Sequence, residues 1–311
     1  MTYKYKTLIN KDNVRRLNNI MWSDHPRNIA FAHFIDSVDL NNKIVLDAGS
    51  GWGLLGEYAL EKGAKHVVQV EYLGDRAALL DRWKQKSKFK DKITVIEANL
   101  LDEWEWPSSL PEPDFILHEF IGRRFLNENL HKILPQLYRK FPNSKFLPEC
   151  ARFKVHYLNV SDNPVLLNRV MGKYLKSSQT STFSPGIGVS NSYIDFIQSE
   201  IDAALRCNIF WIQKQEYIQI EESASYKDEK EIFPIYSPNH PTHIISHPPH
   251  DFVGFCMLSY CFGIKDAMFS SGDLNISDGL ISYVGKDINE ITFTYTDRNN
   301  WWYDDWDVSC R

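Results

Sequence analysis

The run Val45-Leu46-Asp47-Ala48-Gly49-Ser50-Gly51-Trp52-Gly53 constrains this chain more than any other. A short apolar stretch empties into a turn carrying three glycines, and a run with helical periodicity, Leu54 to Lys62, follows until Gly63 stops it. Strand, glycine turn and helix in that order form the opening of a crossover unit. The alternation continues from Lys43 to about Phe141, which predicts a mainly parallel sheet covered by helices. The expected strands are Ile44 to Asp47, His66 to Glu71, Lys92 to Ala98 and Asp114 to Glu119. A second expected helix, Asp75 to Phe89, sets Leu79, Leu80 and Trp83 on one side.

After Pro148 the pattern changes, and runs such as Phe153 to Val160 and Phe252 to Phe262 read as antiparallel strands. Within this mainly β half, Tyr193 to Cys207 places Ile194, Phe196, Ile197, Ile201 and Leu205 at helical spacing. That stripe reads either as core packing or as an arm joining two copies in a homodimer. The polar stretch Glu221 to Glu231 reads as an exposed loop. A chain of 311 residues with 43% hydrophobic content is comfortable as two units, with the boundary expected between residues 147 and 148.

A net charge of −5 gives no electrostatic ground for nucleic acid or an anionic membrane as partner. The opening MTYKYKTLINKDN lacks the apolar core of a signal peptide, and no segment reaches bilayer-spanning length. Cys150, Cys207, Cys256, Cys261 and Cys310 are odd in number and show neither a disulfide framework nor a zinc spacing, so reduced thiols in a cytoplasm are expected. His243, His247 and His250 stand among prolines and read as solvated loop residues rather than a metal cluster, so no metal is expected.

Glycines at 49 and 51 would let a ligand approach the backbone closely, Asp47 ends the strand beneath them, and Glu71 ends the next strand. An acid there can accept hydrogen bonds from ribose hydroxyls. This much fits a nicotinamide dinucleotide as well as S-adenosylmethionine (SAM), or a tight turn with no ligand. Asn99-Leu100-Leu101-Asp102 after the third strand favours SAM, since Leu100 can offer a backbone amide and Asp102 a carboxylate to adenine.

At the end of the fourth strand stands His118-Glu119-Phe120-Ile121-Gly122-Arg123-Arg124-Phe125-Leu126-Asn127-Glu128. Here the chain resembles the protein arginine methyltransferase family, whose loop carries two glutamates nine positions apart and opens E-W-M-G. Glu119 and Glu128 have that separation. Met21-Trp22-Ser23-Asp24-His25-Pro26-Arg27 resembles the family's M-L-x-D-x-x-R segment, and Phe146-Leu147-Pro148 is a weaker echo at the entry to its barrel. The resemblance covers about Met21 to Leu130. It implies a Rossmann-like cofactor domain followed by a β-barrel-like domain for substrate and dimerisation. It also implies SAM as cofactor, with Arg27 on its carboxylate and Met21 beside its methyl group, and Glu119 and Glu128 as a clamp on a guanidinium.

The chemistry is coherent, because a guanidinium is planar, forked and cationic near neutral pH, so two carboxylates can hold it bidentately and aim one nitrogen. Arg123 and Arg124 replace the aromatic residue that usually follows the family's glycine. Arg123 could bind the carboxylate of a small substrate such as free arginine, or the two arginines could merely neutralise the glutamates. The family's threonine-histidine-tryptophan loop has no counterpart near Ile276-Ser277-Asp278, and Asn10 to Asp12 replace its early aromatic residues. The sequence therefore reads as an arginine or guanidine N-methyltransferase. Its alternatives are methyl transfer to another small-molecule nitrogen or oxygen, and a non-catalytic SAM-binding or interaction protein.

Overall fold

The structure is a computed structural model that describes residues 22, 25–121, 126, 128–158, 188–206, 226–264, 267–270, 280–284, 286–296 and 305–311. Helix α1 (His25–Asp36) leads into β1 (Ile44–Ala48), α2 (Leu54–Glu61), β2 (His66–Glu71), α3 (Gly74–Lys86), β3 (Ile93–Glu97), β4 (Phe115–His118), α4 (Leu130–Lys140) and β5 (Lys145–Leu147). The five strands form one parallel sheet in the order β3-β2-β1-β4-β5. Every residue of β1 and β4 is buried, as expected where helices cover both faces of a parallel sheet. The expected elements of this half appear with ends shifted by no more than three residues, the spread common to fraying termini. The strand order reverses direction between β1 and β4. A doubly wound sheet opens a ligand crevice at the carboxyl ends of such neighbours.

Pro148 leads into β6 (Cys150–Leu158), whose antiparallel partner is β10 (Gly254–Ile264) along nine residue pairs. Around these two gather β7 (Tyr226–Glu229), β8 (Phe233–Pro234), β11 (Ala267–Ser270) and β12 (Leu280–Val284). A smaller antiparallel sheet holds β9 (His243–Ser246), β13 (Ile291–Thr296) and β14 (Asp305–Cys310). The sheets meet where Phe153 packs on Trp306 at 5.2 Å between ring centroids and Tyr157 shares a 2.7 Å hydrogen bond with Ser246. This half is mainly β and barrel-like.

Two expectations change. The stretch Glu221 to Glu231 contains a strand, since Tyr226–Glu229 pairs with β6. It is an edge strand of mostly exposed polar residues, so it carries no hydrophobic alternation. Ladder bonds hold it, and Glu229 forms ion pairs with Arg152 and Lys154. His243 opens a strand rather than sitting in a loop, although its side chain is exposed. Among the described residues no group of His, Cys, Asp or Glu is arranged to hold a metal, and no helix is long and apolar enough to cross a membrane.

Helix α5 (Asn191–Arg206) covers the expected amphipathic run. Tyr193, Phe196 and Ile197 are buried within the chain against Trp22, Trp52, Leu79, Leu80 and Trp83. Tyr193 lies 5.0 Å from Trp83 and 5.9 Å from Trp22 between ring centroids. Phe196 and Ile197 of the stripe, with Tyr193 beside them, are therefore core packing against the first half.

Candidate functional site

The glycine turn stands at the carboxyl end of β1. Gly49 and Gly51 have φ of 71° and 56°, in the left-handed region where a β-carbon is strained. Their surroundings differ. A β-carbon on Gly49 would lie 2.4 Å from the Phe120 ring, whereas one on Gly51 would meet nothing within 4 Å. Gly49 is thus packed against the loop after β4, and Gly51 faces an open cradle.

Glu71 closes this cradle from β2. One carboxylate oxygen accepts the Gly51 N–H at 2.7 Å and the other accepts the Leu73 N–H at 2.8 Å. A carboxylate offers about four lone-pair positions, so acceptor capacity remains at the rim. Burial pushes the Glu71 carboxyl up, while these backbone bonds and Arg76 pull it down. Asp47 does different work: its carboxylate turns inward to accept the Gly56 N–H at 3.1 Å, and burial raises it to about 7. It braces the turn beneath the cradle.

The segment after β3 is tied to Glu71 by the Ala98 N–H, which donates to the Glu71 carbonyl at 3.0 Å. Leu100 is buried, and Asp102 is exposed and accepts from the Asn99 amide at 3.0 Å. Both line a cleft of about 510 Å³ with Trp104 and Lys140. Neither the glycine turn nor Glu119 contributes to that cleft.

Glu119 follows β4, and its Oε2 lies 2.5 Å from Nη2 of Arg27 on α1. Both side chains are largely covered, and the Arg27 guanidinium also bonds Asn28 at 3.1 Å and lies over the Phe31 ring. Glu128 stands just before α4, half-buried. Burial and the negative charge of Glu119 push its carboxyl up, while the charge of Arg27 pulls it down. Two acids and one cation thus share an electrostatic unit at the crevice. Two carboxylates set this close each favour a cation beside them.

Met21, Gly122, Arg123 and Arg124 lie outside the described residues. Three contacts escaped the sequence reading. Phe120 seats on Gly49, and its place beside Glu119 was the available signal. Tyr193 donates its hydroxyl proton to the Trp52 carbonyl at 2.5 Å, which ties α5 to the glycine turn across 141 positions of chain. Tyr260 of β10 is buried where Glu119, Glu128 and Arg27 all act on its hydroxyl. No local pattern distinguishes either tyrosine from an ordinary core residue.

No family model matches the chain. It is 33% identical over 115 residues to protein arginine N-methyltransferase 1 of Saccharomyces cerevisiae, covering 35% of this chain and 31% of that protein. It is 33% identical over 117 residues to the Caenorhabditis elegans protein of that name, covering 37% and 33%. The matched stretches thus span about a third of these relatives' length. Among solved structures, PRMT6 with SAH aligns with a TM-score of 0.60 at 13% identity, covering 95% of this chain and 99% of that one. Arabidopsis thaliana protein arginine methyltransferase 10 aligns at 0.56 and 13%, covering 94% and 95%. The Trypanosoma brucei PRMT1 enzyme-prozyme heterotetrameric complex with AdoHcy aligns at 0.52 and 14%, covering 96% and 95%. In fold over nearly its whole length, and in sequence over about a third of it, the chain is similar to the protein arginine N-methyltransferases.

Proposed function

We propose that this protein is a SAM-dependent N-methyltransferase acting on a guanidine nitrogen of arginine. The observation that carries the reading is the grouping of Glu119, Glu128 and Arg27 at the end of β4, beside the cradle of Gly51 and Glu71. The cradle fits the cofactor: a β-carbon at Gly51 would fill the open space there, and Glu71 keeps acceptor capacity for ribose hydroxyls. Residues 1–147 are assigned to the cofactor and residues 148–311 to the acceptor side. Arg27 would hold the methionine carboxylate, Glu71 the ribose, and Leu100 and Asp102 the adenine. When bound, SAM supplies an electrophilic methyl group on a sulfonium.

Glu119 and Glu128 perform the acceptor chemistry. Their carboxylates draw the guanidinium charge toward the nitrogens they hold, and the remaining nitrogen keeps more electron density for attack. Holding that nitrogen in line is itself the largest contribution, since oriented reactants avoid much of the entropic barrier. One glutamate then accepts the proton released by the methylated nitrogen. Burial of Glu128 with Glu119 raises its proton affinity, which suits this last role.

The experiment is incubation with labelled SAM and a panel of free arginine, arginine peptides and cell extract, followed by mass spectrometry of the product. Methylated guanidine is expected, and Glu128→Gln should lower the rate roughly a hundred- to thousand-fold with SAM binding intact. Near-normal turnover by Glu128→Gln would replace this reading with methyl transfer to a different nitrogen or oxygen. The reading extends to a reducing, cytoplasmic setting, supported by Cys150, Cys256, Cys261 and Cys310 as free thiols. It also extends to a homodimer, supported by the heterotetrameric assembly of the trypanosome protein.

A further inference from the structure

We propose that Tyr260 is the positioning residue that the barrel-like half sets against the acceptor site, its hydroxyl steadying the Glu119 and Glu128 carboxylates. The inference rests on the clamp reading above and adds a residue from the far half of the chain. Side chains two apart on a strand share a face, so Tyr260 and Phe262 of β10 point the same way. Phe262 packs on Phe31 and Phe34 of α1 at 5.7 and 6.0 Å between ring centroids, and Tyr260 follows it at 6.3 Å. Arg27 lies one helical turn before Phe31 with its guanidinium over that ring, and its Nη2 meets Glu119 Oε2 at 2.5 Å. The face of β10 that carries Tyr260 is therefore the face turned to the arginine and carboxylate group.

Tyr260 is 3% exposed, and the charges of Glu119, Glu128 and Arg27 all reach its hydroxyl. Burial and the two carboxylates hold that phenol well above its ordinary range. It stays protonated wherever the enzyme would work. A hydroxyl rotates to present its proton to the nearest negative charge, directly or through a water, so Tyr260 favours the ionised clamp that a guanidinium needs. Phenylalanine keeps the ring and removes only that dipole. Among the described residues, the charged and titratable groups set around Glu128 are Glu119 from the end of β4, Arg27 from α1 and Tyr260 from β10. His131, one turn into α4, packs instead on Tyr295 at 5.5 Å.

The test is Tyr260→Phe, read in two ways. With an arginine peptide, kcat should fall about tenfold while SAM affinity holds. The acidic limb of the rate profile should move up by about one pH unit, because a clamp that has lost a stabilising dipole protonates more readily. A purely packing role would lower melting temperature and leave that limb in place, and an unmoved limb overturns the proposal.

The second readout needs no turnover. A carboxyl raised on folding keeps its proton where the unfolded chain has lost it. Glu128 therefore stabilises least at high pH, and its contribution falls as pH rises from the ordinary carboxylate range to about 8. The difference in melting temperature between wild type and Glu128→Gln isolates this fall from other acids. In the Tyr260→Phe background the same difference should level off at higher pH, and the same levelling point would refute the inference. If wild type methylates no arginine but this shift appears, the substrate reading fails while the role of Tyr260 stands.

Discussion

Two alanine substitutions in the glycine turn, Gly49→Ala and Gly51→Ala, should fail in different ways. Each forces a β-carbon into the left-handed region, which costs about 1–2 kcal/mol. For Gly51→Ala that is the whole folding cost, because the new methyl meets nothing within 4 Å. A loss of that size lowers the melting temperature by only about 1.5–3 °C in a protein of this length, at about 2.1 cal/mol/K of unfolding entropy per residue. The methyl stands in the cradle, so SAM binding should weaken by at least about tenfold, or roughly 1.4 kcal/mol. Gly49→Ala adds a clash, since its methyl would lie 2.4 Å from the Phe120 ring. Phe120 must move, and overpacking of this kind costs about 1–3 kcal/mol beyond the backbone strain. Because Phe120 follows Glu119 directly, the displacement should lower turnover as well as stability. Thermal denaturation and calorimetric titration with SAM separate the effects. Wild-type SAM affinity in folded Gly51→Ala would refute the cradle, and equal destabilisation by both substitutions would refute the packing argument.

Glu71→Ala removes both the proposed ribose acceptor and the bond to the Gly51 N–H, so SAM affinity should fall about 10- to 100-fold, measurable by calorimetry. Unchanged affinity in a folded variant would remove Glu71 from the site. Sedimentation at micromolar concentration should show a homodimer, and a monomer throughout the range would rule it out.

The first half was legible because its signals are local. Glycines at 49 and 51 sit where positive φ is required, and Glu71 ends its strand three residues before the next helix begins. The two glutamates were found by a spacing that resembles the two-glutamate loop of the arginine methyltransferases, but the pairing of Glu119 with Arg27 was not, since it joins α1 to the end of β4 across 92 positions. The barrel-like half was harder to read. β7 has no apolar alternation because it lies at an edge, and ladder bonds leave no trace in residue type. Tyr260 reads as one more aromatic residue in an apolar strand. What distinguishes it is the sheet face it shares with Phe262, which is known only once β10 lies against α1.

The bond from Tyr193 to Trp52 bears on the order in which the protein is assembled. During synthesis the β1 turn leaves the ribosome long before α5 exists, since 141 positions separate the two partners. Until then the Trp52 carbonyl and the faces of Trp22 and Trp83 must be covered by water or by a chaperone, because the α5 side chains that pack on them have not been made. The first half can form its sheet early, but its outer wall closes only when the second half arrives. A nascent chain halted before residue 193 should accordingly expose Trp22 and Trp83, which the finished protein hides.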